Sequence, residues 1–255
     1  MRWFKLIFWL VILLIGVSYL AGLYISHPKT ILKNLIIGKT ADKIIFKVSY
    51  AGFMPLGAGV VENNGIEDFG KEEAYHVKAI AWSNSLINFL GNKIEAEVHS
   101  FIDTDKFYTL KFMEKVSVGG ETKEEKSIIY DQIKHIMKKD GEEREILAET
   151  HDPLSLLFYL MRQDLTLGKT IDLNINTNQK NYRFYGKIVE EKTITVGNNI
   201  FKAYILKGKV QRRNNSLRHS SEFTVWFIDK PQKVPFLIKI FTNIGPITVR
   251  LAEID

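Results

Sequence analysis

From Ile44 to the end of the chain, apolar and polar residues alternate. Phe46, Val48 and Tyr50 share one side of the period, with Lys47 and Ser49 on the other. Ile94, Ala96 and Val98 alternate with Glu95, Glu97 and His99, and Ile247, Val249 and Leu251 with Thr248 and Arg250. A period of two puts successive side chains on opposite faces of a strand, so these runs predict strands with one buried and one wet face, the habit of antiparallel sheets. Further strands are predicted at 75–82, 107–116, 126–131, 133–138, 182–191, 200–210, 222–228 and 235–242. Asn63-Asn64-Gly65, Asp140-Gly141 and Gly197-Asn198-Asn199 lie between runs. Such residues supply the positive φ of tight hairpins, so each predicts a turn.

Two segments break the period. Asp152-Pro153 reads as a helix cap followed by proline at the first helical position. Leu154, Leu157, Phe158 and Met161 then recur at i, i+3, i+4 and i+7, an apolar stripe that Leu156, Tyr159 and Leu160 broaden. A shorter helix is predicted from Ser85 to Leu90, stopped by Gly91. Many strands and one or two short helices predict a mainly β domain: a curved antiparallel sheet or partial barrel covered by a helix. Because strand patterns flank the 153–163 helix on both sides, residues 44–255 are read as one domain.

A different pattern precedes that domain. Leu6 to Ile25 carries no charge, and a helix of that length spans about 30 Å, the thickness of a bilayer's hydrocarbon core. Trp3 and Trp9 near one end, and Tyr19 and Tyr24 near the other, suit the two interfaces. Residues 1–25 therefore predict a transmembrane anchor, and residues 26–43, opened by His27-Pro28, a juxtamembrane connector. A cleaved signal peptide is the alternative, but Tyr19 and Leu20 are large where cleavage near Ala21 and Gly22 wants small residues. Arg2 and Lys5 favour a cytoplasmic N-terminus, with the domain in the periplasm; Lys29, Lys33 and Lys39 pull the other way.

Composition changes this picture little. Apolar residues at 45% and charged residues at 25% suit a packed protein. The net charge of +6 comes largely from scattered lysines and does not predict nucleic-acid binding. With no cysteine, thiol nucleophiles, disulfides and cysteine zinc sites are excluded.

Several stretches together resemble one bacterial family. They are Val48-Ser49-Tyr50-Ala51-Gly52 with Gly57-Ala58-Gly59, Ala74-Tyr75-His76-Val77 leading to Ala81-Trp82-Ser83-Asn84, and Asp152-Pro153-Leu154-Ser155 with Phe158-Tyr159-Leu160-Met161-Arg162. Gly168-Lys169, Thr224-Val225-Trp226-Phe227 and Val234-Pro235 complete the set. In this order and spacing the chain resembles the domain of unknown function 3108 family over roughly residues 44 to 254. The resemblance implies an exported, envelope-associated, β-rich protein and carries no catalytic residues to transfer.

Candidate chemistry is sparse. His151, Asp152 and Ser155 are the residue types of a hydrolase triad, but neighbours in sequence cannot take the triad's geometry, and Asp152 is better used as a cap. None of the six histidines pairs at metal-ligand spacing. Glu95, Glu97 and His99 form a polar row on the face opposite the buried one. Gly57-Ala58-Gly59 lacks the lysine of a phosphate loop and reads as a strand bend. No cofactor or metal site is predicted.

Two sets of residues remain as contact candidates. Leu154, Leu157, Phe158 and Met161 would either fill the core or cover an apolar cavity. Lys207, Lys209, Arg212, Arg213 and Arg218 would either be a solvated hairpin or contact an anionic partner. The function expected is a membrane-anchored binding or interaction domain facing the periplasm, taking a lipid-like ligand or an envelope protein. An enzyme acting on envelope material and a structural subunit of a membrane complex are the alternatives.

Overall fold

The computed structural model describes residues 43–70, 72–90, 93–196, 199–213, 220–229, 233–242 and 245–254. The predicted anchor and nearly all of the connector lie outside these residues. Among the described residues, no helix is long and apolar enough to cross a membrane.

Strands β1 (Lys43–Tyr50), β2 (Met54–Phe69), β3 (Glu72–Ser83), β4 (Ile94–Asp103), β5 (Thr109–Val118), β6 (Glu121–Asp131), β7 (Ile136–Lys139) and β8 (Glu142–Glu145) form the first half. The short helix α1 (Ser85–Leu90) follows β3, and the Asn84 side chain caps it by accepting from Ile87 N at 2.9 Å. Then come β9 (Thr150–His151), helix α2 (Pro153–Arg162), β10 (Thr170–Thr177), β11 (Lys180–Val196), β12 (Asn199–Arg212), β13 (Ser220–Ile228), β14 (Val234–Thr242) and β15 (Gly245–Ile254).

All fifteen strands belong to one sheet, in the order β8 through β1, then β15 back through β9. Every neighbouring pair is antiparallel except β9 and β10. The first and last strands pair at the centre, Val48 opposite Val249. The two edges, β8 and β9, are consecutive in the chain and separated only by residues 146–149. Fifteen strands laid flat would put those edges about 67 Å apart, whereas the connection from Glu145 to Thr150 reaches at most about 18 Å. The sheet must roll until its edges meet.

Local features provide the curvature. Register shifts occur at Val48/Ser49, Asn63/Ile66, Phe101/Ile102, Val116/Ser117, Ile188/Glu190 and Trp226/Phe227, and each bulge bends its strand and raises the local twist. Gly186 and Gly208 face each other across β11 and β12. A Cβ on Gly208 would stand 2.6 Å from Gly186 Cα and 2.7 Å from Phe223 Cζ, so the ring of Phe223 lies where side chains would otherwise be.

At the seam, side chains from β6 and the β6–β7 turn reach the other half. Gln132 Nε2 donates to Thr109 O at 2.7 Å and to Thr150 O at 3.0 Å, and its Oε1 accepts from Thr150 N at 3.1 Å. Tyr130 Oη donates to Asn176 Oδ1 at 3.3 Å. Asn174 and Asn181 donate to Ala148 O and Glu145 O, binding the edge connection itself.

Two turn expectations meet different fates, and the third, at Gly197-Asn198-Asn199, falls on positions 197–198, outside the described residues. Asp140 and Gly141, with φ of 52° and 83°, make the two-residue hairpin between β7 and β8. Asn63-Asn64-Gly65 is no hairpin. It lies inside β2, where Gly65 (φ 91°) absorbs the bulge between the pairs Asn63–Val77 and Ile66–Tyr75. Positive φ serves a bulge as well as a turn, and that ambiguity hid the length of β2. Residues 133–135, predicted as strand, form the β6–β7 turn, with His135 at φ 55°.

The seam yields a test. Replacing Gln132 by Ala strips partners from two carbonyls and one amide, so urea unfolding should show a loss of about 2–3 kcal/mol in a single transition. A loss below about 0.5 kcal/mol would show that the edges are held by something else.

Candidate functional site

Helix α2 occupies the interior of the roll, and Asp152 fixes where it begins. Its Oδ1 accepts from Leu154 N at 2.7 Å and Ser155 N at 3.1 Å, the N-cap pattern. Its Oδ2 accepts from Ser100 Oγ on β4 and from Thr109 Oγ1 on β5 at 2.8 Å. One carboxylate thus joins the helix to two strands of the first half. Burial raises its pKa, and the hydroxyl and amide donors act against that shift.

His151 and Ser155 belong to the same buried node. Ser155 is fully buried, and its hydroxyl lies 2.9 Å from both Thr109 Oγ1 and Asp152 O, but 3.5 Å from His151 Nδ1. Asp152 is directed at the helix amides and two hydroxyls. The three residue types of a triad are therefore assembled as a cap. Burial lowers the His151 pKa to about 4, so the ring is neutral at pH 7 and packs edge-on against Tyr159.

The helix has two apolar faces. Leu154 and Phe158 belong to the core of the first half, with Val98, Ile102 and Met137. There the Phe158 ring meets Tyr75 at 5.0 Å and carries the Arg162 guanidinium at 3.3 Å from its centroid. Leu160, with partly buried Leu156 and Met161, packs toward the core of the second half.

On that second side lies a cavity of about 90 Å³ between α2 and β10–β14. Leu156, Leu157 and Leu160 line it from the helix; Phe184, Phe223, Val225 and Ile238 line it from the sheet. It reaches the rim where β10 turns into β11, beside Thr177, Asn178 and Ser221. One water needs only about 10–15 Å³ but several polar partners, so this space suits an apolar group better. Tyr182 also lines the cavity; its side chain is buried, and its hydroxyl has no hydrogen-bond partner among the described residues.

Of the four helix residues the sequence singles out, Leu157 lines the cavity, Leu154 and Phe158 face the other half, and Met161 packs beyond it. Leu156 and Leu160, which only broadened the stripe, are cavity residues. The basic stretch is divided by the strand period. Lys207 and Lys209 are exposed on the outer face. Arg213 is also exposed and donates to Asn174 Oδ1 at 2.6 Å. Arg212 follows Val210 on the cavity side and sits opposite Tyr182 in the pairing of β11 and β12. Arg218 lies outside the described residues.

Elsewhere, the outer row of β4 is paired within itself and with β3. His99 Nε2 is 3.1 Å from Glu97 Oε1, His76 Nε2 is 2.8 Å from His99 Nδ1, and Glu67 holds His76 at 2.6 Å. Glu95 pairs with Lys93. The His76–His99 pair joins residues far apart in sequence, which spacing along one strand could not reveal. Among the described residues, no three His, Asp or Glu side chains are placed to hold a metal ion. Gly57-Ala58-Gly59 lies within β2, paired to β1 and β3 on either side.

Two outcomes follow from α2. Phe158→Ala should cost about 3–5 kcal/mol in denaturant unfolding, the usual penalty for deleting a ring from solid core; a loss under about 1 kcal/mol would place the ring in loose space. The second concerns pH. With a folded pKa of about 4 against 6.5 unfolded, His151 contributes stability that is complete above pH 6.5 and is lost as pH falls toward 4, up to about 3 kcal/mol. The Glu114 carboxyl, which burial pushes up to about 7 against the pull of Lys126, titrates across that window with the opposite sign. The His151 contribution is therefore read as the stability difference between wild type and His151→Gln at each pH. That difference should shrink on acidification, and a pH-independent difference would contradict the assignment.

In fold, the chain is similar to the crystal structure of a β-barrel-like protein of domain of unknown function DUF1849 from Brucella abortus, with a TM-score of 0.56 at 9% identity over 84% of this chain and 96% of that one. Two further crystal structures align more loosely. One, from Parabacteroides distasonis, is provisionally described as a lipoprotein; it has a TM-score of 0.35 at 7% identity and covers 86% of this chain and 96% of its own. The other, provisionally described as an exported protein with a YmcC-like fold, is from Bacteroides fragilis; it has a TM-score of 0.31 at 9% identity and covers 85% and 96%. At those scores neither supports an argument. No curated protein matches the sequence. The sequence itself matches the family described as protein of unknown function DUF3108 over residues 45–252, and the chain belongs to that family.

Proposed function

We propose that this protein is a binding domain of the bacterial envelope that holds an apolar, lipid-like molecule between helix α2 and the rolled sheet. The observation that supports this most is the cavity itself: about 90 Å³ with an apolar wall, beneath a helix whose start is pinned by a buried carboxylate. A cavity of this kind costs stability unless something occupies it, and at about 90 Å³ it has room for one end of an apolar molecule, the remainder lying in its open mouth.

The envelope location rests on Leu6–Ile25, read as a single-pass inner-membrane anchor with the domain on the periplasmic side. In that setting the cavity would stand within reach of membrane lipids. The buried His151–Asp152–Ser155 node, used as a cap, gives no support to the enzymatic alternative.

The test uses a fluorescent naphthylamine probe, which brightens in apolar surroundings. The protein should take up the probe, and Val225→Phe, which fills the cavity from its floor, should weaken uptake by roughly ten-fold or more while costing at most about 1–3 kcal/mol of stability. Equal uptake by the variant would place the probe elsewhere. No uptake by either protein would remove the ligand-binding reading.

A further inference from the structure

We propose that the outer face of β11–β15 and β1 rests on the surface of an anionic lipid bilayer, through aromatic side chains on β13 and β14 and the lysines and arginines on either side of them. This rests on the reading of Leu6–Ile25 as a membrane anchor. It is independent of the cavity, and either can fail without the other.

Strand pairing gathers these side chains from positions far apart in the chain. One row across the sheet runs Lys187, Lys207, Thr224 and Lys239. Beside it lie Lys209, Glu222 and Phe241 in a second row, and Trp226, Leu237, Arg250 and Lys47 in a third. Leu206, Val225, Ile238 and Val249, which alternate with them along the strands, are core residues, so all three rows face outward.

Two observations distinguish this face from an ordinary solvated one. Lys187 lies directly opposite Lys207, and Arg250 directly opposite Lys47. Like charges in that position weaken a sheet, and an anion between them removes the repulsion. These strands are interior to the sheet, so the lysines have no edge to protect. The second observation is that, among the described residues, no carboxylate forms an ion pair with Lys187, Lys207, Lys209, Lys239, Arg250 or Lys47. Glu222 is the one acid in the three rows. On the other half of the sheet, Lys78 is held by Glu97 at 2.6 Å, Lys93 by Glu95 at 2.7 Å and Lys138 by Glu143 at 2.6 Å.

The middle of the face decides the kind of anion. β13 and β14 are its central strands, and they carry Phe241, 48% exposed, with the partly exposed Trp226 and Leu237. Lys239 Nζ stands 5.6 Å from the centroid of the Trp226 ring. Lys187, Lys207 and Lys209 flank this crest on one side, and Arg250 and Lys47 on the other. A curved wall meets a bilayer along its crest, and aromatic rings suit the headgroup level there. The flanking cations act over a Debye length of about 8 Å without touching lipid. A soluble polyanion has no use for apolar side chains at the crest. The connector from the anchor leads into β1, the strand that bears Lys47. Such a tether keeps the face at a high effective concentration near the bilayer, so weak individual attractions suffice.

The experiment places the full chain in nanodiscs of phosphatidylcholine, alone or with about one-third phosphatidylglycerol, and follows sparing lysine acetylation by mass spectrometry. Phosphatidylcholine discs with soluble polyphosphate are the third condition. Lys187, Lys207, Lys239 and Lys47 should react about three-fold or more slowly on the anionic discs, while Lys123 and Lys134 on the other half keep their rates. Salt at about 1 M, where the Debye length is about 3 Å, should abolish the difference. The double variant Lys187→Gln, Lys207→Gln should lose most of the protection at Lys239 and Lys47 without melting lower, since it also removes a facing pair of like charges.

A chain that stays in the discs and reacts equally on both lipids would overturn this proposal alone, as would protection that survives in the double variant. Equal protection of Lys123 and Lys134 would overturn the choice of face. Protection by polyphosphate and not by anionic discs would replace the bilayer with an anionic polymer. A chain that does not stay with the discs would overturn the anchor reading and this one with it.

Discussion

Four residues decide the shape of this protein. Residues 146–149 join the two edges of a fifteen-stranded sheet, and no flat or gently twisted sheet of that width can satisfy so short a connection. The bulges along the strands, the glycine pair on β11 and β12, and the bonds from Gln132, Asn174 and Asn181 across the seam all serve that one requirement. The roll also manages the exposed edges that an open sheet would offer to other chains.

The same connection determines where the helix goes. It leads into β9, and α2 starts two residues after that strand ends, so the pairing of β9 with β10 sets where the helix enters the roll. Asp152 then holds it toward β4 and β5. Ala81 and Ala96 on that side are small enough to let the helix approach β3 and β4 closely. Across the interior, β12–β14 carry larger side chains yet do not meet the helix backbone as closely, and the cavity is what remains. The helix lies against β3 and β4 on one side and β9 and β10 at the seam, and the space opens beyond these, toward β11–β14.

Much of this was legible in the chain. Period-two alternation marked most strands, and Asp152-Pro153 marked the helix start, because both signals are local. The length of β2 was not legible, since Asn63-Asn64-Gly65 is chemically the same whether it makes a turn or a bulge. The short β8 and β9 carry no alternation to read. The division of the basic stretch was available from the strand period, which sends Lys207 and Lys209 outward and Arg212 inward. The meeting of Arg212 and Tyr182 was not, because residues thirty apart become neighbours only through the pairing of β11 with β12. Tyr182 by itself is one aromatic among many in a strand, and only an enclosed hydroxyl without a partner distinguishes it.

Whether the space between helix and sheet holds a ligand is decided by native mass spectrometry of the full chain, purified gently from cells with whatever it retains. One retained apolar molecule per chain is expected, absent when Val225 is replaced by Phe. A bare chain, or the same retained mass on the Val225→Phe protein, would contradict it.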